Sequence, residues 1–149
     1  MKNTTPSLPE GDAVSGFDLP ANDGSRFDAR PWLGKKVVFL HFFATWSDTE
    51  DLVTLQSTLK EYPQAMLIAV CIDEAENRAK VDALVKAEKI TVPVLLDPNG
   101  DLLQKQYNAG MAEAPKTIVI NKNMKIVAKR TNEADEEVSI KALLSALEK

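Results

Sequence analysis

Apolar residues occur along this chain in two kinds of block, and each kind implies a different element. Residues 35–44, KKVVFLHFFA, form a nearly unbroken apolar run. Such a run suits a strand buried on both faces of a sheet that helices cover. AMLIAVCID at 65–73 repeats the pattern, and VPVLLD at 92–97 is a shorter version. Between these runs the period changes. Leu52, Leu55, Leu59 and Tyr62 recur at helical spacing, which predicts a helix over 49–62 that Pro63 ends. Ser47 or Asp48 can cap its first turn. Val81, Leu84 and Val85 fall on the apolar face of a second helix over 74–88. PKTIVIN at 115–121 and KIVAKR at 125–130 predict two strands joined by the tight turn Lys122-Asn123-Met124.

The remaining segments complete the order. Residues 1–16 are rich in Pro, Gly, Ser and Thr and read as a loosely held lead. FDLPANDGSRFD reads as a short β-hairpin with an Asp-Gly turn. Pro98-Asn99-Gly100 closes the third apolar run, and LLQKQYN after it predicts a short helix. A last helix is expected over 134–148, with Asp135, Glu136 and Glu137 complementing the positive end of its dipole. The early β-α-β portion argues for parallel strands with a right-handed crossover, and the final hairpin is antiparallel. One domain over 16–149, after a lead at 1–15, accommodates all of these elements. Phe39, Phe42 and Phe43 alternate faces of a core strand and are packing residues. Trp32, before Leu33-Gly34, is expected to pack the hairpin onto the domain.

Composition narrows the chemistry. A chain of 149 residues with 44% hydrophobic and 27% charged residues suits one globular domain. A net charge of −4 gives no basic stripe for nucleic acid. No apolar stretch is long enough for a membrane-spanning helix. Cys71 is the single cysteine, so an intrachain disulfide and a cysteine zinc site are both excluded. The residues imply no cofactor and no metal. The opening MKNTTPSLPEGD lacks the apolar core of a signal peptide. Two compartments stay open: the cytoplasm, or the periplasm or exterior once a signal or anchor is removed.

Four stretches in this order resemble thioredoxin-like proteins of the TlpA/ResA type, related to the AhpC/TSA and redoxin group. They are FDLPANDGSRFDARPWLGK, VVFLHFFATWSDTEDL, ITVPVLLDPNGDLLQKQYN and AEAPKTIVINKNMKIVAK. The resemblance covers roughly residues 16–148. It implies a thioredoxin-like three-layer α/β/α sandwich, with a mixed sheet, an N-terminal β-hairpin and a central βα insertion. It also implies a cis-proline at Pro115. In that family Cys-x-x-Cys follows Ala-Thr-Trp; here Ser47-Asp48-Thr49-Glu50 follows it. Ser47 stands where the attacking cysteine would be, and Glu50 where the resolving cysteine would be. Thiol–disulfide exchange needs a thiolate attacking a sulfur, which neither residue can supply.

The candidate residues each have two readings. Ser47 is a helix cap, or a nucleophile if His41 serves as its base. His41, the only histidine, stands where the resemblance implies a buried polar group beneath the active cysteine. With no cysteine to serve, it reads as a buried, hydrogen-bonded core histidine. Cys71 reads as a buried core thiol whose apolar setting raises its pKa, with a reactive single thiol as the alternative. The resemblance places it near His41, towards the active-site end of the sheet. Trp46 and the Ala114-Pro115 loop are retained scaffold, or the seat of an extended peptide docked by β-augmentation, which needs no thiol.

Three functions follow. The first is a non-catalytic module binding a protein or peptide partner at Trp46, Ser47, Ala114 and Pro115. The second is a thiol-disulfide oxidoreductase or antioxidant enzyme, working through Cys71 alone or with Ser47 replacing a native cysteine. The third is an interaction domain of a larger secreted or membrane-tethered protein.

Overall fold

The computed structural model describes residues 18–45, 49–73, 75–97 and 116–130. The chain enters through a hairpin, β1 (Asp18–Pro20) and β2 (Arg26–Asp28). Gly24 in its loop has φ +94°, a conformation open to glycine and strained for other residues. The long apolar run becomes β3 (Val37–Phe43), all seven of whose residues are buried. Then come α1 (Glu50–Leu59), β4 (Ala65–Cys71), α2 (Arg78–Ala87) and β5 (Val94–Leu96). The described residues close with β6 (Lys116–Ile120) and β7 (Ile126–Arg130). The short helix expected at 102–108 and the last helix at 134–148 lie outside the described residues.

The main sheet runs β5-β4-β3-β6-β7. β3 pairs parallel with β4, from Val37 opposite Ala65 to Phe43 opposite Cys71. It pairs antiparallel with β6, Val38 opposite Ile120. The sheet is therefore mixed, as the sequence order implies. β3 buries both faces because side chains alternate along a strand. Phe39 and Phe43 pack with Ala69, Cys71 and Val119 beneath Leu52, Leu55 and Leu59 of α1 and Val81 of α2. Leu40 and Phe42 pack on the other face with Ile68, Val70, Ile118, Ala21 and Leu33. Both described helices serve one face. That follows from two successive parallel crossovers in one direction, each with the same preferred hand.

The hairpin covers the β5 edge. Ala21 forms an antiparallel bridge with Leu95, and the Asn22 amide donates to the Val94 carbonyl at 2.9 Å. The Asn22 side-chain amide donates to Asp82 Oδ1 on α2 at 3.2 Å. An unpaired strand edge invites association, and this contact removes most of one.

Some local expectations are corrected. Trp32, expected to pack the hairpin onto the domain, keeps 37% of its surface exposed. The Leu33 amide donates to the Ala29 carbonyl at 3.1 Å, a single helical turn. That turn points Ala29 and Leu33, four residues apart, into the core and Trp32 outward. Helix α1 stops at Leu59 rather than 62, because the Glu61 and Tyr62 amides donate three residues back, to Thr58 and Leu59. The tightened last turn is a common helix ending. Helix α2 starts at Arg78, behind a 3-10 turn at Ala75–Asn77, rather than at 74.

Helix α2 ends with Lys89 at φ +55°. The Ile90 amide reaches back to the Val85 carbonyl at 2.9 Å. This is the left-handed closure at which glycine is the usual residue, and a lysine there bears the Cβ penalty. Lys89→Gly should therefore raise stability by about 1 kcal/mol in urea unfolding.

Candidate functional site at the carboxyl end of the sheet

Parallel strands bring their carboxyl ends together, which is where open α/β sheets place their ligands. Here Phe43 ends β3 opposite Cys71 of β4, and Cys71 lies opposite Leu96 of β5. The ladder continues one step further. The Ile72 amide donates to the Phe43 carbonyl at 2.9 Å, and the Asp97 amide to the Cys71 carbonyl at 2.8 Å. Three polar residues crown these strands: Thr45, Asp73 and Asp97. Asp73 and Asp97 are both buried.

Asp73 organises this end. It accepts from the Thr45 amide at 2.7 Å and from the Thr45 hydroxyl. The Asn77 side-chain amide donates to it at 3.1 Å and the Cys71 thiol at 3.3 Å. Burial works to raise the Asp73 pKa. The hydrogen bonds from Thr45, Cys71 and Asn77 outweigh burial and hold the carboxyl below its ordinary value. Asn77 occupies the cap position of α2; its side chain makes no capping bond there, and its Nδ2 donates to Asp73. One carboxylate thus ties the segment leaving β3 to the crossover leaving β4.

Helix α1 begins at Glu50, which is exposed, with Thr49 at its cap position. The Thr49 carbonyl accepts the Val53 amide at 3.1 Å, the first helical bond. Thr49 thus holds the cap position and its side chain makes no capping bond, while the expected caps, Ser47 and Asp48, fall outside the described residues. Trp46, Ser47, Asp48, Ala114 and Pro115 lie outside the described residues.

His41 is fully buried in the middle of β3, opposite Ala69 on β4 and Thr117 on β6. Its Nδ1 is 2.8 Å from the Thr117 hydroxyl. The reading of a buried, hydrogen-bonded core histidine matches this geometry. Cys71 lies on the neighbouring strand and the same sheet face, two residues nearer the carboxyl end. Its hydrogen-bond partner is Asp73. Burial pushes the Cys71 thiol up to about 12, with the Asp73 carboxylate adding to the rise. That shift disfavours the thiolate, the reactive form, at neutral pH. Among the described residues no cluster of His, Cys, Asp and Glu has the grouping to hold a metal ion.

A family model for AhpC/TSA matches residues 11–129. The chain belongs to the AhpC/TSA family. Sporulation thiol-disulfide oxidoreductase A of Bacillus subtilis is 29% identical over 101 residues, 64% of this chain and 59% of that protein. The AhpC/TSA chain thus spans less than two thirds of that relative's length. Peroxidoxin BcpB from Mycobacterium tuberculosis superposes with a TM-score of 0.79 at 21% identity, covering 95% of this chain and 97% of that one. A thiol-disulfide oxidoreductase from Bacteroides fragilis gives 0.71 at 18%, covering 91% and 99%. These likenesses establish the thioredoxin-like fold of this AhpC/TSA chain.

Thr45, Asp73 and Asn77 were not among the candidate residues of the sequence reading. A signal existed: Ile72-Asp73 puts an acid directly after a fully apolar strand, where a buried carboxylate needs donors. Its partner Thr45 is 28 residues away, and only the parallel register brings the two together.

Two outcomes follow. Asp73→Asn weakens acceptance from Thr45 and should cost about 1–3 kcal/mol at pH 7. Because the folded-state pKa of Asp73 is depressed, its contribution is present above about pH 4 and lost as pH falls through that depressed value. Urea midpoints at pH 7 and pH 3 should therefore fall further for the parent than for Asp73→Asn. Cys71 should also resist a thiol reagent such as dithionitrobenzoate in the native protein and react stoichiometrically in guanidinium. Prompt native labelling would mean that the strand end opens readily.

Proposed function

We propose that this chain is a non-catalytic thioredoxin-fold module that binds a protein or peptide partner at the carboxyl end of the sheet. Trp46, Ser47, Ala114 and Pro115 would form the docking face, with an extended segment pairing with the backbone at Ala114. The observation that carries this reading is the condition of the single thiol. Cys71 is buried, hydrogen-bonded to Asp73 and raised to about 12. The position after Ala44-Thr45-Trp46 holds Ser47, and three residues later Glu50. Neither a hydroxyl nor a carboxylate exchanges with a disulfide. The fold is meanwhile kept, so the surface that presents a substrate in a redox relative can present a partner without turnover.

The competing reading is a one-thiol oxidoreductase, in keeping with the name of the Bacillus subtilis relative. Insulin reduction with dithiothreitol separates the two. The parent chain and Cys71→Ala should both match the uncatalysed rate. The pair Ser47→Cys with Glu50→Cys should restore turnover, because it returns a thiol couple to the helix start. Parent activity that disappears in Cys71→Ala would overturn the proposal and make Cys71 a working thiol.

A further inference from the structure

The amino ends of the parallel strands form the pole opposite Thr45 and Asp73, and three loops meet there. Residues 29–36 lead into β3, residues 60–64 join α1 to β4, and residues 121–125 join β6 to β7. Their convergence is fixed by contacts. The Val37 amide donates to the Gln64 carbonyl at 3.0 Å, and Lys36 Nζ to the Pro63 carbonyl at 3.1 Å. A Cβ placed on Gly34 would lie 3.8 Å from Met124 Cγ and 3.9 Å from the Lys122 carbonyl oxygen.

The charge of these loops is unlike that of the chain. They carry Arg30, Lys35, Lys36, Lys60, Lys122 and Lys125 against one carboxylate, Glu61, in a chain of net charge −4. Ion pairs among the described residues are Arg26–Asp18 and Arg30–Asp28, so none of the five lysines is engaged in one of these pairs. Lys35, Lys60, Lys122 and Lys125 are exposed. Trp32, the exposed large apolar residue among the described residues, sits in the first of the loops. Its carbonyl accepts the Lys35 and Lys36 amides at 3.0 and 3.1 Å, which fixes the lysines beside it.

We propose that this pole is a peripheral docking surface for an anionic lipid bilayer, with the lysines against the headgroups and Trp32 seated at the interface. The cations stand on three separate turns at one end of the molecule, so a plane can meet them together. Lysines act as point charges towards a diffuse anionic surface, and indole rings favour the water–lipid boundary. A phosphopeptide site would instead be expected to use arginine as a two-pronged donor. The arginine here, Arg30, is held by Asp28 through both Nε and Nη2. Docking this way would point the Thr45–Asp73 end away from the membrane, roughly 20 Å up the seven-residue strand β3. The inference does not depend on the function proposed above.

Flotation with vesicles of phosphatidylglycerol and phosphatidylcholine in equal parts tests it, with pure phosphatidylcholine as the comparison. The parent should bind the mixed vesicles and release at high salt. Each lysine near an anionic surface is worth about fivefold in partitioning. The exposed triple variant Lys35→Glu, Lys122→Glu, Lys125→Glu should then lose at least about 100-fold, with its circular dichroism melt near that of the parent. In a Trp46→Phe background, the Trp32 emission should shift to the blue on mixed vesicles. Equal binding to pure phosphatidylcholine, absence of binding to the mixed vesicles, or unchanged binding of the triple variant would each overturn the proposal. Retention on polyglutamate without retention on vesicles would overturn it too, assigning the pole to an acidic polypeptide.

Discussion

Complete burial of β3 on both faces is the constraint on which the other elements depend. Its seven residues have no solvent-facing side. One set of side chains calls for α1 and α2 above it, and the other for the N-terminal segment below. Its two edges take β4 and β6, in opposite directions. Because β3 and β4 are parallel and in register, their carboxyl ends finish level, and Asp73 can reach Thr45. The polar crown of the site is thus a by-product of where an apolar strand stops. His41 is the exception within β3, and its hydrogen bond to Thr117 on the neighbouring strand lowers the cost of burying it there.

Elements whose identity is set by period were legible in the sequence. The runs at 37–43 and 65–71 could be read as doubly buried strands because little except an α/β sheet hides so many consecutive apolar residues. Leu52, Leu55 and Leu59 identified the buried stripe of α1 for the same reason. Boundaries were less legible, because they depend on hydrogen bonds that local composition does not determine. Helix α1 ends at Leu59 rather than Tyr62 because the last amides bond three residues back. Asn77, at the start of α2, makes no capping bond and donates its Nδ2 to Asp73 across the loop. The partial exposure of Trp32 was not legible either, because a single helical turn decided that Ala29 and Leu33 faced inward.

At the site, the residues named from resemblance and those found from geometry differ in kind. Cys71 and His41 were visible because their types are rare in this chain. Both are buried and hydrogen-bonded: the Cys71 thiol to the Asp73 carboxylate, and His41 to Thr117 on the neighbouring strand. Thr45, Asp73 and Asn77 are ordinary types in ordinary spacing. They became a unit only through tertiary register, and they hold the start of the segment in which a redox relative would place its chemistry. The brace at the carboxyl end of the sheet is thus built from side chains that no single stretch of sequence brings together.

The hairpin's attachment also bears on how the chain is made. Asn22 is made 60 residues before its partner Asp82. At roughly 5–20 residues per second, the ribosome needs about 3–12 s to supply that dock. During that interval β1 and β2 have no strand to lean on, and a two-stranded hairpin alone is marginal in water. The hairpin is thus a late arrival in the folded structure although it precedes its dock in the sequence. A nascent chain halted before β5 would present it as an unfinished edge, open to chaperones or to other chains.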